Sequence, residues 1–248
     1  MNIILIHPHE SDGAGRVCFS GERAEHICNT LRAMPGKVLR VGLLNGPLGS
    51  GTVEKVSAEE VVLYCEFRGK KPPCPAVDLL LALPRPKVMK RLWAQLAALG
   101  VGRIILTNAE KVERYYFDSH VLEPDFYTGL LIEGLQQAGD TRVPEVQIVK
   151  ELKPFLEDEL DSLFPQEGLR LLADPAGTQN IFHTRKNSGG SKTLLAVGPE
   201  GGWTPYELEL FSSHGFTVFN AGPRILRTDT ACVALLSLLT LCSDENEK

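Results

Sequence analysis

The residues best suited to chemistry lie between Leu194 and Thr230. An apolar run, Leu194-Leu195-Ala196-Val197, ends in Gly198-Pro199-Glu200-Gly201-Gly202, and Gly222-Pro223-Arg224-Ile225-Leu226-Arg227-Thr228-Asp229-Thr230 follows soon after. Glycine at 198, 201 and 202 lets backbone N–H groups approach a bound molecule with no Cβ in the way. A helix start follows directly. Thr204 can cap, Pro205 suits the first helical position, and Glu207 stands three residues after the cap, as a capping box requires. Strand, glycine loop and helix therefore come in order, and the stretch reads as a ligand site.

Two further strand ends have the same character: Ala173-Asp174-Pro175-Ala176-Gly177 and Phe219-Asn220-Ala221-Gly222-Pro223. Open α/β sheets bind ligands at such ends. A single glycine after a strand is as often only a turn, but three such loops together favour a site. The central loop lacks the Lys-Ser/Thr end of a P-loop, the dinucleotide pattern G-x-G-x-x-G is absent, and Glu200 opposes a phosphate. A phosphate-free ligand carrying positive charge fits better, and adenosyl sulfonium compounds meet that description.

With 248 residues, 43% of them hydrophobic, the chain can form one large domain or two modest ones around a real core. No apolar run approaches the roughly 20 residues of a membrane span, since Ser237 and Thr240 interrupt the stretch from Val233 to Leu241. The start, Met1-Asn2-Ile3-Ile4-Leu5-Ile6, lacks the basic region of a signal peptide. A cytoplasmic protein with no membrane partner is expected. Six scattered cysteines without C-x-x-C spacing read as reduced thiols, and His7 with His9 is too sparse a pair to suggest a metal. A net charge of −5 argues against indiscriminate coating of nucleic acid, and no DNA partner is expected. The clustered Arg85, Lys87, Lys90 and Arg91 still allow a focused basic patch, while acidic excess gathers in Glu151 to Asp161 and in the tail Asp244-Glu245-Asn246-Glu247.

Residues up to about 68 read as short β segments, namely Ile3 to Ile6, Arg16 to Phe19, Val38 to Leu44, Gly51 to Val56 and Val61 to Phe67, with one helix from Glu22 to Leu31. That spacing suits a small barrel. Gly69-Lys70-Lys71-Pro72-Pro73-Cys74-Pro75 forms a stiff break, which divides the chain into domains 1–72 and 73–248. Beyond it strands and helices alternate, so an α/β domain with a parallel sheet is expected. Its strands are Val77 to Leu83, Ile104 to Thr107, Leu169 to Ala173, the Leu194 run and Phe216 to Phe219. Its helices span about Lys87 to Leu99, Glu123 or Pro124 to Ala138, Pro154 to Leu163, Pro205 to Ser213 and Thr228 to Leu241. The polar run Arg185 to Ser191 reads as a mobile surface loop.

The paired C-terminal motifs, Gly198 to Gly202 and Gly222 to Ala231, closely resemble the signature of the RsmE family, SPOUT-class methyltransferases acting on small-subunit ribosomal RNA. His26 to Arg32 with Gly36, Leu83-Pro84-Arg85-Pro86-Lys87, and Gln137 with Val143-Pro144-Glu145 extend the likeness along the chain. The resemblance implies a PUA-like β-barrel followed by a SPOUT-type α/β domain tied in a C-terminal trefoil knot, an exception to the rule of unknotted chains. It implies a homodimer, S-adenosylmethionine as cofactor, and methylation of N3 of a specific uridine in 16S rRNA. The cofactor would lie against Leu172 and Asp174, Val197, Gly198, Pro199, Glu200, Gly201 and Gly202, and Asn220, Ala221, Gly222, Ile225 and Leu226. Three positions depart from the pattern: Asp229 replaces the commoner Glu, Asp140 stands where many members carry Arg, and Trp93 to Gly100 lacks the usual Lys and Glu.

Methylating N3 requires removing its proton and stabilising charge on the flanking carbonyl oxygens. Arg227 offers a permanently charged fork of donors for that purpose, or a salt bridge to Asp229 or Glu200. Asp229 is either a base or an acid favoured by the helix dipole. Thr228, like Thr230, either touches the ligands or caps the helix. Glu200 either orients its loop through backbone N–H groups, lies near the methionyl amine, or is a structural cap. Arg85, Lys87 and Arg91, with Arg224 and the barrel residues Arg16, Arg32 and Arg40, are candidates for RNA phosphate, with a solvated charged face as the alternative. Trp203 is a candidate for stacking on a base, whereas Trp93 reads as core. The rival functions are the same fold with another RNA target and a non-catalytic RNA-binding assembly factor, which cofactor affinity separates.

Overall fold

The computed structural model describes residues 2–57, 59–165, 168–180 and 192–244. The stretch from Arg185 to Ser191, read above as a mobile loop, lies outside the described residues, as does most of the acidic tail. The chain divides into two compact units, one of Met1–Pro73 with Ile132–Val143, the other of Cys74–Leu131 with Pro144–Lys248.

The first unit holds β1 (Ile4–Ile6), β2 (Arg16–Ser20), α1 (Gly21–Asn29), β3 (Val38–Leu43), β4 (Leu48–Val56) and β5 (Glu60–Glu66). They form one mixed sheet in the order β1-β3-β4-β5-β2. β1 runs parallel to β3 and the other pairs are antiparallel, with a bulge between Val53 and Lys55. In β2 burial alternates, as period-two geometry demands, so Val17 and Phe19 enter a core with Ile6, Ile27, Val41, Val61 and Leu63. No ladder joins β1 to β2 among the described residues, so in hydrogen-bonding terms the expected barrel is an open sheet wrapped on a shared core. Residues 132–143 belong to this unit through main-chain pairing: Asn2 N–H donates to the Gln136 carbonyl at 2.9 Å, Asn45 N–H to Thr141 O at 2.7 Å, and Thr141 Oγ1 to Gly46 O at 2.7 Å.

The second unit is built on a seven-stranded sheet, every pair parallel, in the order β10-β12-β9-β11-β6-β7-β8. The strands are β6 (Val77–Ala82), β7 (Val101–Thr107), β8 (Glu145–Val149), β9 (Leu169–Ala173), β10 (Gln179–Asn180), β11 (Thr193–Val197) and β12 (Thr217–Asn220). The helices are α2 (Pro86–Ala98), α3 (Pro124–Ala138), α4 (residues 152–163, with a π segment at Phe155–Glu159), α5 (Pro205–Ser213) and α6 (Thr228–Asp244). β6 and β11 are buried along their whole length, as inner strands covered on both faces must be. α2 turns Met89, Leu92, Trp93 and Leu96 inward at helical spacing, and the Trp93 Nε1–H donates to the Val121 carbonyl at 2.9 Å. Trp93 is core, as its place in the pattern indicated.

Sequence patterning missed β8 and β10. β8 is an edge strand with Ile148 39% exposed, and it lacks the buried apolar run that marks inner strands; β10 has two residues. The cap of α5 forms as read. Thr204 Oγ1 accepts the Glu207 N–H at 3.3 Å, and Glu207 Oε2 accepts the Thr204 N–H at 2.7 Å. The same carboxylate, buried to 5% exposure, takes the Glu110 N–H on Oε1 at 2.8 Å. Glu207→Ala strands two backbone donors, and is expected to cost about 2–4 kcal/mol with little change in m-value in urea unfolding. Thr204→Ala is expected to cost about 1 kcal/mol in the same assay.

Candidate functional site: a cleft at three strand ends

Strands β9, β11 and β12 stop level with one another: Ala173 is in register with both Val197 and Phe219. Their three loops therefore leave the sheet side by side. After β9, the Asp174 N–H donates to Phe219 O at 3.0 Å and its Oδ1 accepts the Ala176 N–H at 2.8 Å. Gly177 closes this loop where a Cβ would lie 2.3 Å from the Phe219 carbonyl carbon. After β12, Asn220 spans two loops, donating from Nδ2 to Gly177 O and accepting the Gly222 N–H on Oδ1. After β11, Gly202 N–H returns to Pro199 O at 2.9 Å with φ +70°, a left-handed turn suited to glycine. Thr228 Oγ1, in the first turn of α6, donates to Gly198 O at 3.2 Å.

These loops and α6 line a cleft open on one side. Of the residues expected at a cofactor, Asp174, Val197, Gly198, Pro199, Glu200, Gly202, Ala221, Gly222, Ile225 and Leu226 line it. Leu172 is fully buried within β9, Asn220 ties the loops together, and Gly201 packs against Lys111, whose Nζ donates to Gly201 O at 2.8 Å. Arg224, assigned from the sequence to RNA, lines the cleft as well.

Sequence reasoning did not single out Ala231 or Leu235, which lie one turn apart on α6 and face the cleft below Thr228. Their i, i+4 spacing after the Thr-Asp-Thr motif was the available signal. Trp203 is corrected: it is 5% exposed, packed edge-on against Phe211 with ring centroids 4.8 Å apart, and so unavailable as a stacking surface for a base. It forms part of the cleft wall instead, and a Cβ on Gly198 would meet its Nε1 at 3.0 Å. The walls combine apolar faces, 85%-exposed Ile225 among them, with the carboxylates of Asp174 and Glu200. Backbone that approaches closely, apolar walls and acidic groups suit a flat, apolar ligand bearing positive charge.

A second hollow adjoins it, lined by Arg85, Val88, Arg91, Glu200, Arg227, Thr228 and Asp229. Glu200 and Thr228 line both spaces. Glu200 Oε1 accepts the Arg85 N–H at 3.2 Å, so one of its expected uses, orienting a loop through a backbone donor, is present. Asp229 pairs with Arg91, Nη2 to Oδ2 at 2.9 Å, and not with Arg227 as the salt-bridge alternative supposed. Burial alone would raise the Asp229 carboxyl. The Arg91 hydrogen bond, the Thr230 N–H and the charges of Arg91 and Arg227 outweigh it and hold the group below the ordinary carboxylate value. Arg227 is exposed, with its charge felt at Asp229. Among the other basic candidates, Lys87 is exposed on α2. Arg16, Arg32 and Arg40 are exposed in the first unit, where Arg16 pairs with Glu54 at 2.8 Å and Arg32 sits at φ +49°.

A family model described as an RNA methyltransferase domain matches residues 70–240. The chain belongs to this family. Among its relatives, a protein named ribosomal RNA small subunit methyltransferase E from Treponema pallidum is 29% identical over 96% of this chain and 90% of its own length. Another of that name, numbered 1, from Borreliella burgdorferi is 24% identical over 94% of this chain and 95% of its own. The likeness to the RsmE family thus holds over nearly the whole chain. Among solved structures, a ribosomal RNA small subunit methyltransferase E from Neisseria gonorrhoeae bound to S-adenosyl methionine superposes with TM-score 0.76 at 21% identity, covering 98% of both chains. A putative Legionella pneumophila methyltransferase with bound cofactor SAM gives 0.73 at 23% identity, again covering 98% of both chains. The family shares this fold.

Because Asp229 is depressed in the folded state, its stabilising contribution is full above the unfolded carboxyl pKa and is lost as pH falls through the folded one. Arg91→Ala is expected to move the Asp229 carboxyl titration upward, read by NMR. At neutral pH it should cost no more than about 1 kcal/mol, because the pair is half open to solvent.

Proposed function

We propose that this protein transfers a methyl group from S-adenosylmethionine to N3 of a specific uridine in 16S rRNA, within the small ribosomal subunit. The observation that carries the reading is the pairing of two spaces across a common wall: an apolar, acid-bearing cleft at three glycine-rich strand ends, and a hollow holding Arg85, Arg91, Arg227 and Asp229. The names of the relatives and the ligand bound in the fold neighbours support the substrate class and the cofactor.

Backbone groups of Val197 to Gly202 and of Ala221 to Leu226 would hold the adenosine, with Ile225, Ala231 and Leu235 covering its apolar faces and the Asp174 and Glu200 carboxylates serving its positive charges. When bound, the sulfonium supplies an electrophilic methyl group. The chain's own residues supply the rest. Arg227 donates to a uracil carbonyl oxygen as negative charge develops on it, a role for which a fixed guanidinium suits. Asp229, ionised and held by Arg91, accepts the N3–H hydrogen bond, orients the ring, takes the proton as N3 is methylated and then passes it to water. Thr228 fixes the glycine loop against α6. Arg85, Lys87 and Arg224 meet phosphates, as do Arg16, Arg32 and Arg40 of the first unit.

The first unit is read as a PUA-like β-barrel and the end of the second as a trefoil knot, with domains at 1–72 and 73–248. Support for the knot comes from the sheet order, in which β11 enters between the earlier strands β9 and β6, and from α6 returning against β11 and β6. A homodimer and a cytoplasmic location complete the reading. No described helix is long and apolar enough to cross a membrane.

The test supplies labelled S-adenosylmethionine to small subunits from a strain lacking this protein and maps the label by mass spectrometry. Label at N3 of one 16S uridine is expected. Label at another nucleotide would redirect the substrate, and no label with cofactor retained would exclude this one. Arg227→Ala is expected to lower kcat by about 10²–10³-fold while leaving cofactor affinity near that of the unaltered protein.

A further inference from the structure

The turn Arg114–Asp118 exposes Arg114 and Tyr115, keeps Tyr116 half-buried, and has no part in the chemistry above. Tyr115 is 64% exposed, one of few large hydrophobic side chains left open in the described residues. It does not hang free. Its ring stands edge-on to Tyr116, with centroids 4.9 Å apart, and the charge of Arg85 is felt at Tyr116. Arg85 in turn lines the hollow that contains Arg227 and Asp229. Arg114 lines a further hollow with Lys153 and the exposed ring of Tyr206. Arg85, whose charge reaches Tyr116, and Arg114, next to Tyr115 in the chain, therefore put cations close to the aromatic pair.

We propose that Tyr115, braced edge-on by Tyr116, is a stacking platform for an unpaired RNA base close to the target nucleotide, and that the strand continues past Arg114. This rests on the reading of the protein as an rRNA methyltransferase and names a contact that reading lacks. Single-stranded RNA is recognised by unstacked bases laid on aromatic rings beside cationic groups, and a braced ring loses little freedom when a base settles on it. The exposed acids Glu113 and Asp118 bracket the aromatic pair. Phosphate attraction at the turn itself is accordingly weak, and the contact is made by the ring face.

The test measures binding of a nine-nucleotide uridine-containing RNA by fluorescence anisotropy at several salt concentrations, alongside methylation of small subunits, for the full-length protein. Tyr115→Ala is expected to weaken RNA binding roughly five- to a hundredfold, with the slope of log affinity against log salt unchanged. Tyr115→Phe, which keeps the ring, should bind as the unaltered protein does. Arg85→Ala should instead flatten the salt slope by about one. Unchanged binding by Tyr115→Ala, with methylation by the unaltered protein intact, overturns the platform alone. Failure of the unaltered protein both to bind RNA and to methylate overturns the functional reading with it. A change in oligomeric mass for Tyr115→Ala without loss of RNA affinity would place a second copy of the chain on this turn, and would also overturn the proposal.

Discussion

The level ending of three parallel strands is the constraint on which the candidate site depends. With Ala173 in register with both Val197 and Phe219, the loops that follow lie side by side, and those after β9 and β12 bond to one another: Asp174 to Phe219 and Asn220 to Gly177. A shift of one residue in any of these strands would turn its side chains to the other face and break the set. The cleft is thus a property of the sheet before it is a property of any one loop. Gly177 lies against the Phe219 backbone and Gly198 against the Trp203 indole, while Gly202 and Gly222 take left-handed φ.

The second dependence is on α6. Its first turn reaches the glycine loop through Thr228, its apolar side lines the cleft at Ala231 and Leu235, and Asp229 turns toward Arg91 on α2. One helix terminus thereby joins the space suited to a cofactor to the space that holds the charged groups. The Glu207 carboxylate does comparable work behind the glycine loop, satisfying donors from α5 and from the segment after β7. Buried carboxylates are costly unless their oxygens are occupied, and here both are.

What was legible in the sequence was local. Leu194 to Val197 followed by glycines declared a buried strand and a close turn, and Thr204, Pro205 and Glu207 declared the helix start to the residue. The Ala231 and Leu235 wall was latent in helical spacing. What stayed hidden joins residues far apart in the chain. Arg91 and Asp229 are separated by 138 positions, and charge alone placed Arg91 with RNA. Residues 132–143 pair with the first unit through backbone bonds, such as Asn2 to Gln136 and Asn45 to Thr141, together with polar side chains such as Thr141, a pairing with no apolar periodicity to announce it. Trp203 was misjudged because a glycine-rich neighbourhood suggests exposure, whereas the indole is packed in the wall against Gly198. β8, an edge strand, lacks the apolar run that marked its neighbours.

The claim that the cleft between Gly198 and Leu226 is the cofactor site is tested most directly by a crystal structure of the protein soaked with S-adenosylhomocysteine, the demethylated product. The account requires the adenosine against the backbone of Gly198 to Gly202 and Ala221 to Leu226, under Ala231 and Leu235, with the sulfur directed toward the hollow of Arg227 and Asp229. Density for the ligand elsewhere, or a sulfur turned away from that hollow, would contradict it.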